Sequence, residues 1–142
     1  MELITSPLAD ALKALETHVG LAESSLADAD PQLRIAFRTA AIKSFEFTYE
    51  LSLKLILRAL ENHPGIGAEA VDELTFRGAM RVAAERGYIA SAEAWHRYRH
   101  QRNKTAHSYN ERTAEDVYAV LPAFIEDANK LLAKLEEAAH AS

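Results

Sequence analysis

Apolar residues return along most of this chain at intervals of three and four, the step of one face of an α-helix. Leu8, Leu12, Leu15 and Val19 set that step in the first segment. Ser6-Pro7 reads as an N-cap followed by proline at the first helical position, so a helix is predicted from there to about Leu26. Asp28-Ala29-Asp30-Pro31 ends it and opens the next helix by the same device, with Asp30 as the cap. That second helix is predicted from Pro31 to about Asn62, with no Gly or Pro after its first residue. At 1.5 Å per residue it is about 45 Å long. Ile35, Ile42, Tyr49 and Ile56 fall seven apart, with Ala41, Phe45, Leu53 and Leu60 on the same side. Phe37, Phe47, Leu51, Leu55 and Leu57 lie on other faces. A helix this broadly apolar is central in a bundle or offers a second face to another copy of the chain. Glu46 and Glu50, one turn apart, read as solvated edge carboxylates, with Glu50 reaching Lys54 four residues on.

Asn62-His63-Pro64-Gly65-Ile66-Gly67 is dense in turn residues and reads as a loop; its GxG is too short for a nucleotide-binding turn and follows no strand. A shorter helix is predicted from Asp72 to Arg86, with Gly87 just past its end and Gly78 allowing close packing. Ser91 caps the next helix, which carries Glu93 in its first turn. On it Trp95, Tyr98, Arg99, Arg102 and Ala106 form one stripe, and His96, His100, Asn103 and His107 the neighbouring one. Asn110-Glu111-Arg112 reads as a turn, and Thr113-Ala114-Glu115-Asp116 as a capping box opening a last helix from about Ala114 to Ala138. Pro122 lies inside that helix and is expected to bend it near Tyr118. The expected architecture is all-α, a single domain over residues 1–142. It is an up-and-down bundle of four longer helices and one short one.

Composition narrows the setting. With 49% apolar and 26% charged residues, the chain has the make-up of an ordinary soluble globule. The absence of Cys excludes disulfides and thiolate metal sites. No apolar run approaches the roughly 18 residues that span a bilayer, and Met1-Glu2-Leu3-Ile4 lacks the basic and apolar regions of a signal peptide. A cytoplasmic protein without membrane contact is expected. The net charge of −5 argues against a general nucleic-acid coat. Yet Arg97 to Arg112 holds five Lys/Arg and one Glu, leaving 11 basic against 20 acidic residues elsewhere. That fits a small phosphate-attracting patch on an acidic body, or simply a solvated helix face.

The patch centres on Arg102-Asn103-Lys104-Thr105-Ala106-His107-Ser108-Tyr109. Arg102 sits at the middle of an aromatic core face. Burying an arginine unpaired is costly, so it has a carboxylate, lines a cleft, or faces another subunit. His96 and His100 could chelate a metal from one helix face, but no carboxylate sits at ligand spacing, and neither metal nor cofactor is expected. RNA phosphodiester cleavage needs proton transfer at the ribose 2′-hydroxyl and at the leaving oxygen, and a cation for the phosphorane. His107 is the type for the first and Arg102 for the second. Five residues on a helix is 140° of rotation, so the two converge only if the helix ends between them or two copies pool their residues. A packed Arg–carboxylate pair beside a surface His is the plain alternative.

Arg102-x4-His107-x-Tyr109 at the end of the penultimate helix resembles the signature of HEPN-domain proteins, and within them the branch of HepT toxins and nucleotidyltransferase substrate-binding proteins. Phe45-Glu46-Phe47-Thr48-Tyr49-Glu50-Leu51-Ser52 resembles the central helix of that branch, and Trp95 with Arg102-Asn103 and His107-Ser108-Tyr109-Asn110-Glu111 its fourth helix and turn. The likeness covers roughly residues 10 to 135. One departure is Phe76 before Arg77, where the substrate-binding branch often has Pro; it touches the start of the short helix, not the motif. The resemblance implies a HEPN-like bundle that forms homodimers, with the motifs of two subunits facing one cleft. It implies a metal-independent ribonuclease toxin with Arg102, His107 and Asn103 as catalytic residues, RNA as substrate, and Arg99 and Lys104 as candidate phosphate-binding cations. It further implies a minimal nucleotidyltransferase as antitoxin partner, adding AMP to Tyr109. Other members are viewed as non-catalytic subunits presenting a substrate or nucleotide to the transferase, and the same Tyr-bearing cleft serves both.

Overall fold

The computed structural model describes residues 3–62 and 75–141. The helices are α1 (Ser6–Ala22), α2 (Ser25–Ala29), α3 (Pro31–Asn62), α4 (Phe76–Glu85), α5 (Ala92–Lys104), α6 (Glu111–Ala119) and α7 (Leu121–Ala141), with a 3₁₀ turn over Thr105–His107. No strand occurs among the described residues, so the expected all-α bundle is what forms. The loop expected after Asn62 and the helix start at Asp72 lie outside the described residues.

Side-chain hydrogen bonds decide where the helices stop. The first helix was expected to reach about Leu26, but it ends at Ala22. The Ser24 hydroxyl donates to the Leu21 carbonyl at 2.6 Å, a partner that would otherwise bond to the backbone one turn on. Ser24, in extended conformation, then precedes α2. The cap of α1 is Thr5 rather than Ser6, with no side-chain cap bond. Asp30 behaves as expected: its carboxylate accepts from the Gln32 amide at 2.9 Å and starts α3. Thr75 caps α4 by accepting from the Gly78 amide at 3.1 Å. Gly87, at φ +84°, closes α4, with the Gly87 and Tyr88 amides donating to the Ala84 and Ala83 carbonyls.

The last helix needs the larger correction. Asn110, not Thr113, is the cap, its side chain accepting from the amides of Arg112 and Thr113 at 3.0 and 3.2 Å. The helix therefore begins at Glu111 and stops at Ala119. Pro122 does not bend a continuous helix: it is the second residue of a new one, where a missing N–H costs nothing.

α3 runs through the middle and touches every other described helix. Phe45 and Tyr49 on α3 meet Trp95 and Tyr98 on α5 and Phe124 on α7 in one buried aromatic group. Phe124 stands edge-on to Phe45 and Tyr98 with ring centres 4.9 and 5.2 Å apart. The Tyr98 hydroxyl donates to Asp127, tying α5 to α7. This packing fixes the rotation of α5 and so the direction in which Arg102 emerges.

Candidate functional site

Ser91 accepts from the Ala94 amide at 3.2 Å and starts α5 as expected. Trp95 and Tyr98 then turn into the core, and Arg102, one turn beyond Tyr98, surfaces beside α3, half-buried. Its Nε donates to Glu50 Oε1 at 2.9 Å. The terminal guanidinium nitrogens have no hydrogen-bond partner among the described residues. Arg102 had to find a carboxylate, line a cleft or meet another subunit, and within one chain it does the first two. Glu50, expected to reach Lys54, crosses to α5 instead.

Two clefts meet at Arg102. One, about 390 Å³, lies between α1 and α3 and is lined by Ala11, Glu46, Phe47 and Glu50. The other, about 520 Å³, runs between α3 and the turn after α5, past Ile42, Thr105 and Ser108. Lys43 and Glu46 line both, so the two form a trough with the arginine at its waist. Burial pushes the Glu46 carboxyl up, but the neighbouring Thr105 hydroxyl, Lys43 and Arg102 outweigh it and hold the group below its ordinary value. The Thr105 hydroxyl also donates to the Arg102 carbonyl at 2.8 Å.

α5 ends at Lys104, and the chain tightens into the Thr105–His107 turn. The helix thus ends between Arg102 and His107, one of the two conditions for bringing them together. Nevertheless, no hydrogen bond joins the two, and His107 lines neither cleft. It is exposed, with its ring centre 6.2 Å from that of Tyr109. Tyr109 is 86% exposed, its phenol open to solvent. Asn103 is exposed as well. Lys104 lies 3.5 Å from Asp116, which offsets its charge. Arg99 lies over the Phe76 ring at 4.3 Å.

Just past Tyr109 the chain is pinned from an unexpected direction. Arg38 on α3 is only 3% exposed, yet its terminal nitrogens donate to both oxygens of Glu111 at 2.6 and 2.8 Å. One of them also reaches Glu115, which Arg34 approaches at 3.1 Å. The hydrogen bond from Arg38 is the main reason both carboxyls sit below their ordinary value. The clamp was missed in the sequence because Arg38 falls among the polar positions of α3 and Glu111 was placed in a turn. Glu50 could have been found from the rule that a half-buried arginine needs a carboxylate, which left Glu46 and Glu50 as neighbours on the apolar side of α3.

On the other flank of α5, Phe76 sits edge-on to His96 with ring centres 5.2 Å apart. Burial, then the charges of Arg77 and Arg99, hold the His96 imidazole below its ordinary value against the pull of Glu93. Among the described residues no three His, Asp or Glu side chains are grouped so as to hold a metal ion. Nor is any helix among them long and apolar enough to cross a membrane.

Comparison with known proteins gives a consistent picture. The model of the family described as nucleotidyltransferase substrate binding protein like matches residues 5–137. The chain is 32% identical over 123 residues to the probable ribonuclease HepT of Haemophilus influenzae, covering 86% of this chain and 84% of that protein. A solved Haemophilus influenzae structure, described as the fold of a substrate-binding domain of a nucleotidyltransferase, superposes with a TM-score of 0.88 at 31% identity. It covers 94% of this chain and 99% of its own. A Thermus thermophilus structure superposes with a TM-score of 0.65 at 27% identity, over 88% of this chain and 98% of its own.

Proposed function

The chain belongs to the nucleotidyltransferase substrate-binding protein family, and on that premise we propose that it is a HepT-like ribonuclease toxin controlled by a minimal nucleotidyltransferase. The observation that carries the reading is Arg102. Glu50 takes its Nε–H and holds the group at the waist of the trough, and the two terminal nitrogens are left to face a phosphate as a fork. Asn103, next in the chain, orients the phosphate or His107.

In the reaction the ribose 2′-oxygen bonds to the adjacent phosphorus, and the bond to the 5′-oxygen breaks. One His107 imidazole takes the 2′-hydroxyl proton, and a second imidazole gives one to the leaving oxygen. The products are a 2′,3′-cyclic phosphate and a 5′-hydroxyl. Since His107 stands outside the Arg102 trough of its own chain, the site is completed in a homodimer, where two copies pool their residues. RNA cleavage in EDTA is expected from the wild type and not from Arg102→Ala or His107→Ala, with the helical circular-dichroism spectrum unchanged. Cleavage retained by His107→Ala would sink this mechanism.

Tyr109 is the proposed point of control. Its oxygen bonds to the α-phosphorus of ATP in the transferase, pyrophosphate leaves, and the phenolic proton passes to a base on that enzyme. The added phosphate brings negative charge beside a site built for phosphate and competes with RNA. The 86% exposure of Tyr109 supports this role. Incubation with transferase and ATP should raise the intact mass by one or more AMP units, and Tyr109→Phe should abolish the shift.

That same exposure also favours a second reading, in which the chain is a non-catalytic subunit presenting a substrate or nucleotide to the transferase. Unmodified wild-type protein that binds the transferase but cuts no RNA would select it.

A further inference from the structure

The flank of α5 away from the Arg102 trough holds a third cavity, about 440 Å³, that the proposed reaction does not use. Its wall is built from Arg77 on α4 and from His96, Arg97, His100 and Gln101 on α5, with Glu93 as its one carboxylate among the described residues. No ion pair engages Arg77 or Arg97 among the described residues, whereas Arg34, Arg38 and Arg102 each have a carboxylate. Two guanidinium groups on one wall, neither ion-paired among the described residues, carry positive charge that a bound anion would neutralise. Burial first, and then the charges of Arg77 and Arg99, hold the His96 imidazole below its ordinary value. The wall is also held in place: Phe76 lies between the His96 ring and the Arg99 guanidinium and locks the start of α4 against α5. The Gln101 side-chain oxygen is buried without a partner among the described residues, so its amide is available to turn toward a bound group.

We propose that this cavity is a phosphate-binding site separate from the Arg102 trough, in which Arg77 and Arg97 grip the anion and His96, His100 and Gln101 supply further hydrogen bonds. The phosphate belongs either to an RNA strand extending beyond the scissile bond or to a free nucleotide. The site is a matter of binding and stands whether or not the chain cuts RNA.

The test follows the His96 and His100 ring resonances by NMR while inorganic pyrophosphate, ATP, or a 2′-O-methyl RNA oligonucleotide that resists cleavage is titrated into the full chain. Both rings should shift saturably with pyrophosphate. Arg77→Ala/Arg97→Ala, two exposed positions, should weaken that response by about tenfold or more, as loss of charge-assisted hydrogen bonds predicts. Arg102→Ala should leave it unchanged. A response to the oligonucleotide and not ATP identifies the RNA backbone as the source, and the converse a free nucleotide; either upholds the site. Rings that stay still, or a response that survives the double variant or vanishes in Arg102→Ala, would overturn the proposal.

Discussion

Arg38 and Arg102 both leave water for a carboxylate, to opposite ends. Arg38 is buried, with both terminal nitrogens donating to Glu111 and Glu115 and its Nε shut in the interior away from any ligand. Arg102 gives only its Nε to Glu50 and keeps the fork free. The first arrangement is structural, and its worth can be measured. Arg38→Met keeps most of the apolar stem, and the carboxylates left behind are already at the surface, so the loss is set by the broken hydrogen bonds, about 2–3 kcal/mol. Glu111→Gln/Glu115→Gln should destabilise more, because it strands the buried cation instead. Both carboxyls are held below the ordinary 4.5 in the folded chain. Their contribution is therefore fully present above that value and disappears as pH falls through the lowered, folded-state values. Thermal unfolding of wild type and Arg38→Met should differ most near neutral pH and converge in acid. A gap independent of pH would remove the carboxylates from the account.

Among the elements, α6 depends most on a single side chain. Asn110 satisfies two of its first amides, and Asn110→Ala should cost about 1 kcal/mol of global stability in denaturant titration. An effect near zero would place the cap elsewhere. The sequence made α6 hard to find because Asn110 and Thr113 are both good caps three residues apart. The choice falls to Asn110 because Arg38, 73 residues away, draws Glu111 into the first turn. The break after Ala22 is equally local, since a serine hydroxyl two residues on makes it. By contrast Asp30, Gly87 and Ser91 were legible because each does one job its chemistry favours over all neighbours. The site divides the same way. That Arg102 needed a carboxylate, a cleft or another subunit followed from its position on an aromatic face, whereas Glu50 as its partner follows from how α3 and α5 cross.

For the molecule as a whole, α3 is central and still keeps Ile35 48% and Phe47 63% exposed. Phe47 also lines the cleft beside Arg102, so a second copy seated there would approach the proposed site. Sedimentation equilibrium should give twice the chain mass, and Phe47→Lys should shift it toward the monomer with helicity unchanged. A monomeric wild type would count against a shared site. Stability is also unevenly spread through the bundle. α6 has nine residues, fewer than the roughly 12–15 at which a helix persists alone in water. It is kept by its cap, the Arg38 clamp and the buried Ala114, Val117 and Tyr118. Such a block opens at a smaller free energy than the bundle melts. Its amides should take up deuterium together and well ahead of those in the middle of α3. Tyr109 lies just ahead of α6, so if that block opens first, the transferase proposed to modify the phenol would meet a segment whose local opening leaves the aromatic core undisturbed.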